Sequence, residues 1–458
     1  MLGVLVTLVA VALIAYLVIK NYYPPIALLL VGLGLLFIAG LNGTPPVAAK
    51  ASTHFFGFDI VQAFTNLMKG RLPGLGLNIM AIAGFSYYMD KIGASKSLVK
   101  LCVRPLAAIR SPYVLLAVTY VVGQFMALFV NSAVGLGLLL MASIYPLLVA
   151  LGVTRAAAAA VIASTCCLDL GPSSSNAMRA ADLVGTDVVT YFVQGQIPVA
   201  ICVIATVAVG HYVVQRWFDR REVAAGTAKS EKVEAGNMEE AFKGAAPMHY
   251  AVLPMLPLVL LIVFSPMVYK GIKLNLQTAI FVSLLISFAV DVVSRRTFKE
   301  CCQATSAIFE GMGKVFASTV SLICCAELFA LGLNKMGGIT TMIQAAASMQ
   351  GAGIYLMLFV MLAIMSVAAI LTGSGNAAFF AFSPLLPEAA ASVGYSTVAL
   401  AVPVQLSAGI ARTMSPIAGV IVAVAGISGL TPIELIRRTI PVMLAGMVVN
   451  VVASLVFL

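Results

Sequence analysis

The residues best suited to chemistry lie near the C-terminus, at 407–420, between two long apolar runs. Arg412 carries a full positive charge there, beside the hydroxyls of Thr413 and Ser415 and the ring of Pro416. An arginine at membrane depth costs about 2.5–3.5 kcal/mol, and no acidic residue lies within twenty positions of it. A guanidinium binds a carboxylate through paired hydrogen bonds. The stretch therefore predicts binding of an anion, either a distant acidic side chain or an anionic ligand.

Three further stretches carry small, hydroxyl and amide side chains inside apolar runs. Proline removes a backbone donor and clashes with the preceding turn, so Pro172 and Pro416 are predicted as helix breakers. The N-terminal ends of the resulting half-helices carry partial positive charge, which suits a carboxylate. We therefore predict a substrate site for a small anion. Its predicted members are Asn131, Ser132, Ser173, Ser174, Ser175, Asn176, Thr372, Ser374, Asn376, Arg412, Thr413 and Ser415.

Each of these side chains also has a structural interpretation. A serine or threonine in a membrane helix often bonds to the preceding turn or packs between helices. Arg412 could form an ion pair with Asp169, three residues before Pro172, or with Glu327 inside a predicted span. A carboxylate at membrane depth is also a candidate for proton or cation transfer. Asp169 and Glu327 are therefore predicted as coupling residues, with ion pairing to Arg412 as the alternative.

The composition places the chain in a lipid bilayer. It is 61% hydrophobic and 10% charged, with a mean hydropathy of +1.06, which exceeds what a soluble core can bury. Long apolar runs predict helices rather than a barrel, and the first twenty residues read as a retained span rather than a signal peptide. The net charge of +10 lies in short loops, where it sets orientation. It does not indicate a nucleic-acid partner.

The cysteines and histidines do not indicate catalysis. The eight cysteines include three adjacent pairs, and the three histidines are scattered, without metal-ligand or disulfide spacing. We expect no metal, no cofactor and no catalytic residue, so an enzyme is the weakest functional interpretation.

Membrane helices must position the polar stretches. Two predicted spans, 157–181 and 396–425, are broken by Pro172 and Pro416. Residues 113–150 and 353–392 are predicted as helical hairpins with polar, uncharged tips, re-entrant from one side; ordinary turns between two full spans are the alternative. The spans are predicted at 3–19, 25–41, 74–90, 157–181, 194–215, 249–268, 275–293, 315–333, 396–425 and 439–456.

The two halves of the chain repeat. Pro172 and Pro416 are 244 residues apart, and Ser132 and Ser374 are 242 apart. The predicted domains are a first repeat at 1–215, a linker at 216–248 and a second repeat at 249–458. Each repeat has five spans and one hairpin, so the repeats are inverted, as in alternating-access carriers. Lysines and arginines then concentrate on the linker's face, which predicts a cytoplasmic linker and external termini.

At these motifs the chain resembles a known family, the DcuC-type anaerobic C4-dicarboxylate transporters of bacteria, within a larger ion-transporter superfamily. The resemblance is carried by Thr-Gly-Ser-Gly-Asn-Ala at 372–377, Arg-Thr-Met-Ser-Pro at 412–416, Gly-Val-Ile-Val-Ala-Val-Ala-Gly at 419–426 and Gly-Leu-Gly-Leu-Leu-Leu-Met at 135–141. Chain length and the central linker agree, so the resemblance covers essentially the whole chain.

The resemblance implies a secondary transporter of succinate, fumarate or malate in the bacterial inner membrane. It also implies coupling to protons (or sodium), a homodimer, and a scaffold domain beside a transport domain that moves as an elevator. The residues alone leave other interpretations open. Another organic anion or an amino acid fits the same polar groups, and an anion channel is a less favoured alternative.

Overall fold

The computed structural model describes the chain except residues 1, 21, 131, 225–241, 266, 267, 270, 296 and 338–352. The described residues form helices joined by turns and contain no strand. The helices are α1 (Leu2–Ile19), α2 (Pro24–Leu41), α3 (Phe56–Arg71), α4 (Leu77–Lys91), α5 (Ala94–Val103), α6 (Pro112–Ala127), α7 (Ala133–Ala150), α8 (Arg155–Ser164), α9 (Ser175–Val184), α10 (Val188–Ala224), α11 (Met248–Val263), α12 (Leu276–Arg295), α13 (Phe298–Lys335), α14 (Gly353–Thr372), α15 (Gly375–Phe382), α16 (Leu386–Ser392), α17 (Thr397–Arg412), α18 (Gly419–Ser428) and α19 (Pro432–Phe457).

Seven of the described helices, α2, α7, α10, α12, α13, α14 and α19, are long and apolar enough to cross a bilayer. The first predicted hairpin appears as two helices, α6 and α7, and the second as three, α14 followed by α15 and α16. The two predicted broken spans appear as α8 with α9 and as α17 with α18, each separated by non-helical residues. The predicted all-helical membrane architecture is therefore confirmed at the level of helices.

Two predicted spans are parts of longer helical segments. The span placed at 74–90 begins at Phe56, because α3 continues through a π-helical turn, Leu72–Gly76, into α4. The span placed at 315–333 begins at Phe298. Charged residues such as Lys69 ended the apolar run, but a charged side chain does not end a helix when its backbone bonds continue. Hydropathy therefore underestimated these helices.

The predicted linker is helical where it begins. Helix α10 runs to Ala224, so residues 216–224 continue the preceding span. Residues 225–241 lie outside the described part of the chain. In the last part of the linker, Lys96 Nζ on α5 donates to the Lys243 carbonyl at 3.1 Å, and Ser97 Oγ donates to the Ala246 carbonyl at 2.7 Å. The end of the linker is thus bonded to α5.

Helix bounds recur along the chain at the spacing of the sequence matches. The π turn Leu72–Gly76 is matched by Phe316–Val320, 244 residues later. Helices α9 and α18 both have ten residues and both end at a left-handed glycine, Gly185 and Gly429, again 244 apart. Helices α7 and α15 both begin directly after a capping serine. Equivalent sequence positions therefore adopt equivalent local structure.

Small residues allow the closest helix contacts. On α2, a Cβ at Gly32 would lie 2.9 Å from the backbone nitrogen of Phe329 on α13. On α13, a Cβ at Gly332 would lie 2.7 Å from the Leu35 side chain. Such small-residue contacts are the usual way in which membrane helices approach closely. The pair α2 and α13 therefore forms a tightly packed unit.

Candidate functional site

The first break separates α8 from α9. Gly171 adopts a left-handed φ of +80°, which favours glycine, and Pro172 follows it. Ser174 then caps α9, its Oγ accepting a hydrogen bond from a first-turn N–H at 3.3 Å. Ser173 instead donates to the carbonyl of Leu128 at 2.6 Å. Since Leu128 directly follows α6, the first break is bonded to the first hairpin.

The second break separates α17 from α18 and contains Pro416. Thr413 Oγ1 donates to the Gly409 carbonyl at 3.0 Å, one turn back. Ser415 Oγ accepts from the backbone N–H of Ile417 at 3.4 Å. Both hydroxyl residues are buried, with exposures of 1% and 0%. They therefore satisfy the backbone of the break, as the structural interpretation of such residues anticipates.

The hairpin tips are built from capped helix ends. Ser132 caps α7 and Ser374 caps α15, each accepting from the N–H three residues later, at 3.0 and 3.1 Å. Gly373 has a left-handed φ of +68°, and a Cβ there would lie 2.9 Å from the backbone nitrogen of Ala418. The second tip is therefore pressed against the second break. Asn131, predicted at the first tip, lies outside the described residues.

A cavity of about 270 Å³ lies where the tips and breaks come together. Helix α4 supplies an apolar wall, and the polar lining comes from the first tip, the first break, α15, the end of α17 and Thr319 of α13. The predicted site residues that line it are Ser132, Asp169, Ser173, Ser174, Ser175, Asn376 and Arg412. These residues span almost 300 positions of sequence, so the fold brings distant segments to one cavity.

Arg412 and Asp169 carry the charges of this cavity. Arg412 Nη2 donates to the carbonyl of Cys166 and lies 3.8 Å from Asp169 Oδ1, beyond hydrogen-bond distance. Asp169 Oδ2 accepts from Asn176 Nδ2 at 2.9 Å. Arg412 Nε is buried and has no hydrogen-bond partner within the described part of the chain. The guanidinium is therefore only partly satisfied by the protein, and the Arg412 side chain, 13% exposed, reaches the cavity.

The other predicted residues support the cavity from behind. Asn176 is fully buried and contacts the cavity only through Asp169. Thr372 Oγ1 accepts from the Ser374 backbone nitrogen at 3.2 Å, which closes the second tip. Together with the back-bonded hydroxyls of the second break, these residues shape the tips and breaks. They do not appear among the residues that line the cavity.

Glu327 belongs to a separate cluster of charges. Its two carboxylate oxygens lie 2.7 Å from Arg179 Nη1 and 2.7 Å from Arg71 Nε. Asp182 lies 3.0 Å from Arg179 and 3.2 Å from Arg71. Glu327 is therefore not the partner of Arg412, and the alternative that paired them was wrong. The four charges balance and join α3, α9 and α13.

Sequence analysis missed several buried polar residues. Arg179 is only 1% exposed; it lies inside the predicted broken span 157–181, but its charge was not assigned a role. Gln124, Gln196 and Gln405 are buried in apolar runs, and their amides bond to the first break. A neutral amide inside an apolar span was the available signal, since such a group must find a partner when buried.

Two broken helices and two hairpin tips around a small polar cavity, among long apolar helices, define a membrane transporter. The chain belongs to the C4-dicarboxylate anaerobic carrier family DcuC, whose model matches residues 2–458. This family membership confirms the resemblance found in the sequence. The apolar helices and the transporter relatives identify a multi-pass protein of the inner membrane that is not an enzyme.

Relatives match the chain along its whole length. The probable anaerobic C4-dicarboxylate transporter DcuC of Vibrio cholerae is 36% identical over 458 residues, covering 100% of this chain and 98% of the relative. The anaerobic C4-dicarboxylate transporter DcuC of Escherichia coli K12 is 34% identical over 451 residues, or 98% and 95% of the two chains. The similarity extends across both halves, including every segment that lines the cavity.

A solved structure shares the fold. The crystal structure of the YdaH transporter of Alcanivorax borkumensis matches with a TM-score of 0.63, covering 95% of this chain and 98% of that chain. Its sequence identity of 16% is low, so the likeness concerns the arrangement of helices alone.

Proposed function

We propose that this protein is a secondary transporter that carries C4-dicarboxylates such as succinate, fumarate and malate by alternating access. The observation that carries the proposal is Arg412 in the small cavity between the breaks and the tips. Among the described residues that line this cavity, Arg412 is the only lysine or arginine. The Arg412 side chain is 13% exposed and its Nη2 stays 3.8 Å from Asp169 Oδ1, which leaves the accessible part of the guanidinium for one substrate carboxylate.

The second carboxylate of a dicarboxylate needs hydrogen-bond donors rather than a second full charge. The hydroxyls of Ser132 and Ser174 accept the capping bonds of α7 and α9, so each retains its own O–H to donate. The amide of Asn376 lines the same cavity. The cavity volume suits a small molecule. One cation and several neutral donors therefore fit a short dicarboxylate.

We infer that the chain consists of two inverted repeats, 1–215 and 249–458, around the 216–248 linker. The recurrence of helix bounds at 242 to 244 residues supports a duplication. An odd number of spans in each repeat inverts the second relative to the first. The two hairpins, as re-entrant elements, and the two broken helices then form a transport domain that moves against a scaffold as an elevator.

We propose that transport is coupled to protons, or alternatively to sodium, and that Asp169 takes part. Asp169 is the acidic residue among the described lining of the cavity. Its carboxylate lies close enough to Arg412 to sense whether an anion neutralises the guanidinium. Glu327 is a weaker coupling candidate because two arginines already balance its charge. A homodimer with external termini and a cytoplasmic linker completes the proposal.

Reconstituted liposomes test this function. Liposomes loaded with succinate are offered labelled succinate, fumarate, malate, citrate or aspartate outside, with and without imposed proton or sodium gradients. We expect saturable exchange of the C4-dicarboxylates, which a channel would not show. Absence of saturable exchange with every dicarboxylate refutes the proposal, and preference for aspartate or citrate supports another organic anion or an amino acid as substrate.

Replacement of Arg412 tests the anchor itself. Truncating one partner of a desolvated charge pair costs about 2–5 kcal/mol, and each 1.4 kcal/mol is about tenfold in affinity. We therefore expect Arg412→Ala to lower exchange at low succinate by about 30-fold or more, while the protein still inserts and purifies. Arg437→Ala, at an exposed arginine of α19, is the matched control. Normal exchange by Arg412→Ala shows that the charge is structural.

A further inference from the structure

Three buried glutamines surround the backbone of the first break. They come from three helices, and their exposures are 2% or less. We call them the glutamine cradle: Gln124 on α6, Gln196 on α10 and Gln405 on α17. Gln124 Nε2 donates to the Leu168 carbonyl at 3.0 Å. Gln196 Nε2 and Gln405 Nε2 donate to the next carbonyl, that of Asp169, at 3.1 and 2.9 Å.

Two glutamines of the cradle are also hydrogen-bonded to each other. Gln196 Nε2 also donates to Gln405 Oε1 at 2.7 Å, and Gln196 Oε1 accepts from the backbone nitrogen of Gly171 at 3.0 Å. The backbone at the break lacks regular helical hydrogen bonds, and at the depth of the bilayer core water does not supply replacement partners. Side-chain amides supply both donors and acceptors, so one pair of glutamines can hold a carbonyl and an N–H of the same turn.

The held residue is the one whose side chain faces Arg412. Two glutamine amides donate to the Asp169 backbone carbonyl, and Asn176 Nδ2 donates to the side-chain Oδ2 of Asp169. Its Oδ1 stays 3.8 Å from Arg412 Nη2. A movement of about 1 Å would bring that oxygen to the length of a charge-assisted hydrogen bond. The position of the backbone therefore decides whether Arg412 is occupied by Asp169 or is open to a ligand.

The second break has a different support. There the Thr413 carbonyl accepts from Thr439 Oγ1 at 3.1 Å, and no glutamine bond to this break occurs among the described contacts. The positions 244 after Gln196 and 242 before Gln405 hold Ile440 and Ala163. The cradle is thus specific to the break that carries the acidic residue, and it is not a general requirement of a broken helix in this fold.

We propose that the glutamine cradle positions Asp169 so that its carboxylate stops short of a hydrogen-bonded ion pair with Arg412, which keeps the guanidinium open for substrate. This rests on the proposed function, since it assigns the cradle a role in substrate affinity. The glutamines are positioning residues: they touch the backbone of the break and not the substrate. Loss of the cradle lets Asp169 move onto Arg412 and compete with the substrate carboxylate.

Binding of labelled succinate to the purified protein tests the proposal. Gln405→Met and Gln196→Met preserve side-chain length and remove the amides. We expect each to raise the Kd about tenfold, which corresponds to about 1.4 kcal/mol of binding free energy. Gln215→Met is the matched control, because Gln215 is equally buried on α10 but donates to the Arg438 carbonyl. Its Kd should equal that of the wild type.

An Asp169→Asn background separates positioning from general damage. The neutral amide cannot compete for Arg412 as a charge, so Gln405→Met should no longer change the Kd in that background. An undiminished effect of Gln405→Met beside Asp169→Asn overturns the proposal, as does an equal effect of Gln215→Met. If Gln405→Met does not fold, Gln196→Met and Gln124→Met carry the same comparison.

Hydrogen exchange of the peptide covering 166–176 gives a readout that does not depend on the substrate. Gln196→Met and Gln405→Met should speed exchange there, and Gln215→Met should not. If the wild type binds no C4-dicarboxylate, the proposed function fails, and faster exchange in this peptide still supports the cradle. Unchanged exchange in both cradle variants overturns it.

Discussion

Replacement of Glu327 by glutamine should destabilise the protein strongly, because it unbalances a buried cluster of charges. Arg179 is 1% exposed, and its Nη1 lies 2.7 Å from Glu327 Oε1. Breaking a buried ion pair by removing one partner costs about 3–5 kcal/mol. Arg71 and Asp182 are 37% and 32% exposed, so water screens part of the loss. We therefore expect the lower limit, about 3 kcal/mol, or roughly 150-fold in the unfolding equilibrium.

Unfolding by dodecyl sulfate in mixed micelles, followed by circular dichroism, measures this difference. The matched control is Glu310→Gln on the same helix, α13. Glu310 also lies 2.7 Å from a cation, Lys314, but both side chains are more than half exposed. Exposed pairs contribute little, so the control should unfold at the wild-type midpoint. Equal midpoints for Glu327→Gln and Glu310→Gln would refute the reasoning.

A second replacement should recover part of the loss. Arg71→Gln combined with Glu327→Gln leaves Arg179 paired with Asp182, which lies 3.0 Å away, and restores the charge balance. The stability changes caused by replacing residues of one ion-pair network are not additive. We therefore expect the double variant to be more stable than Glu327→Gln alone. A double variant whose losses simply add would show that the four charges do not act as one cluster.

Two further replacements test close packing and a second buried ion pair. A Cβ at Gly409 would lie 2.4 Å from the backbone oxygen of Cys167, so Gly409→Ala should lower both the melting temperature and the affinity for succinate. The control is Gly426→Ala, which should be neutral or stabilising because a Cβ there has nothing within 4 Å. Equal melting temperatures for the two variants would contradict this prediction. Arg438 is 2% exposed and lies 2.6 Å from Asp219. Arg438→Gln should therefore lower the free energy of unfolding by about 3 kcal/mol, measured by the same micelle titration. An unchanged unfolding midpoint would contradict this prediction.

The elements around the cavity were predictable because their chemistry is local. A left-handed glycine, or a proline beside a serine, favours the end of a helix, whereas Pro146, Pro403 and Pro441 lie inside apolar helices without ending them. Ser132 and Ser374 each cap the next helix from within three residues. Both breaks and both tips were therefore visible as short patterns in apolar runs. The extension of α4 backward into α3 and the full length of α13 were not visible, because hydropathy reports the apolar part of a helix and not where its backbone bonds end.

The interaction partners of the buried polar residues were less predictable than the positions of those residues in the helices. Glu327 was an obvious charge in an apolar run, but its partners Arg71 and Arg179 lie more than 140 residues away in sequence. The hydroxyls of Thr413 and Ser415 were predicted at the substrate site, and the structure turns them toward the backbone of the break. A polar residue in a membrane helix must find a partner, but its sequence does not say whether the partner is a ligand or the chain.

The sequence by itself determined that this is a helical membrane protein with two polar breaks and two polar tips at repeated spacing, and its motifs identified the family. Those features follow from hydropathy and from local backbone chemistry. Only the tertiary structure decided that Arg412 stops 3.8 Å from Asp169, that Glu327 belongs elsewhere, and that three glutamines hold the first break. Charges and amides act over a few ångströms between segments far apart in sequence, so their pairing depends on how the helices pack.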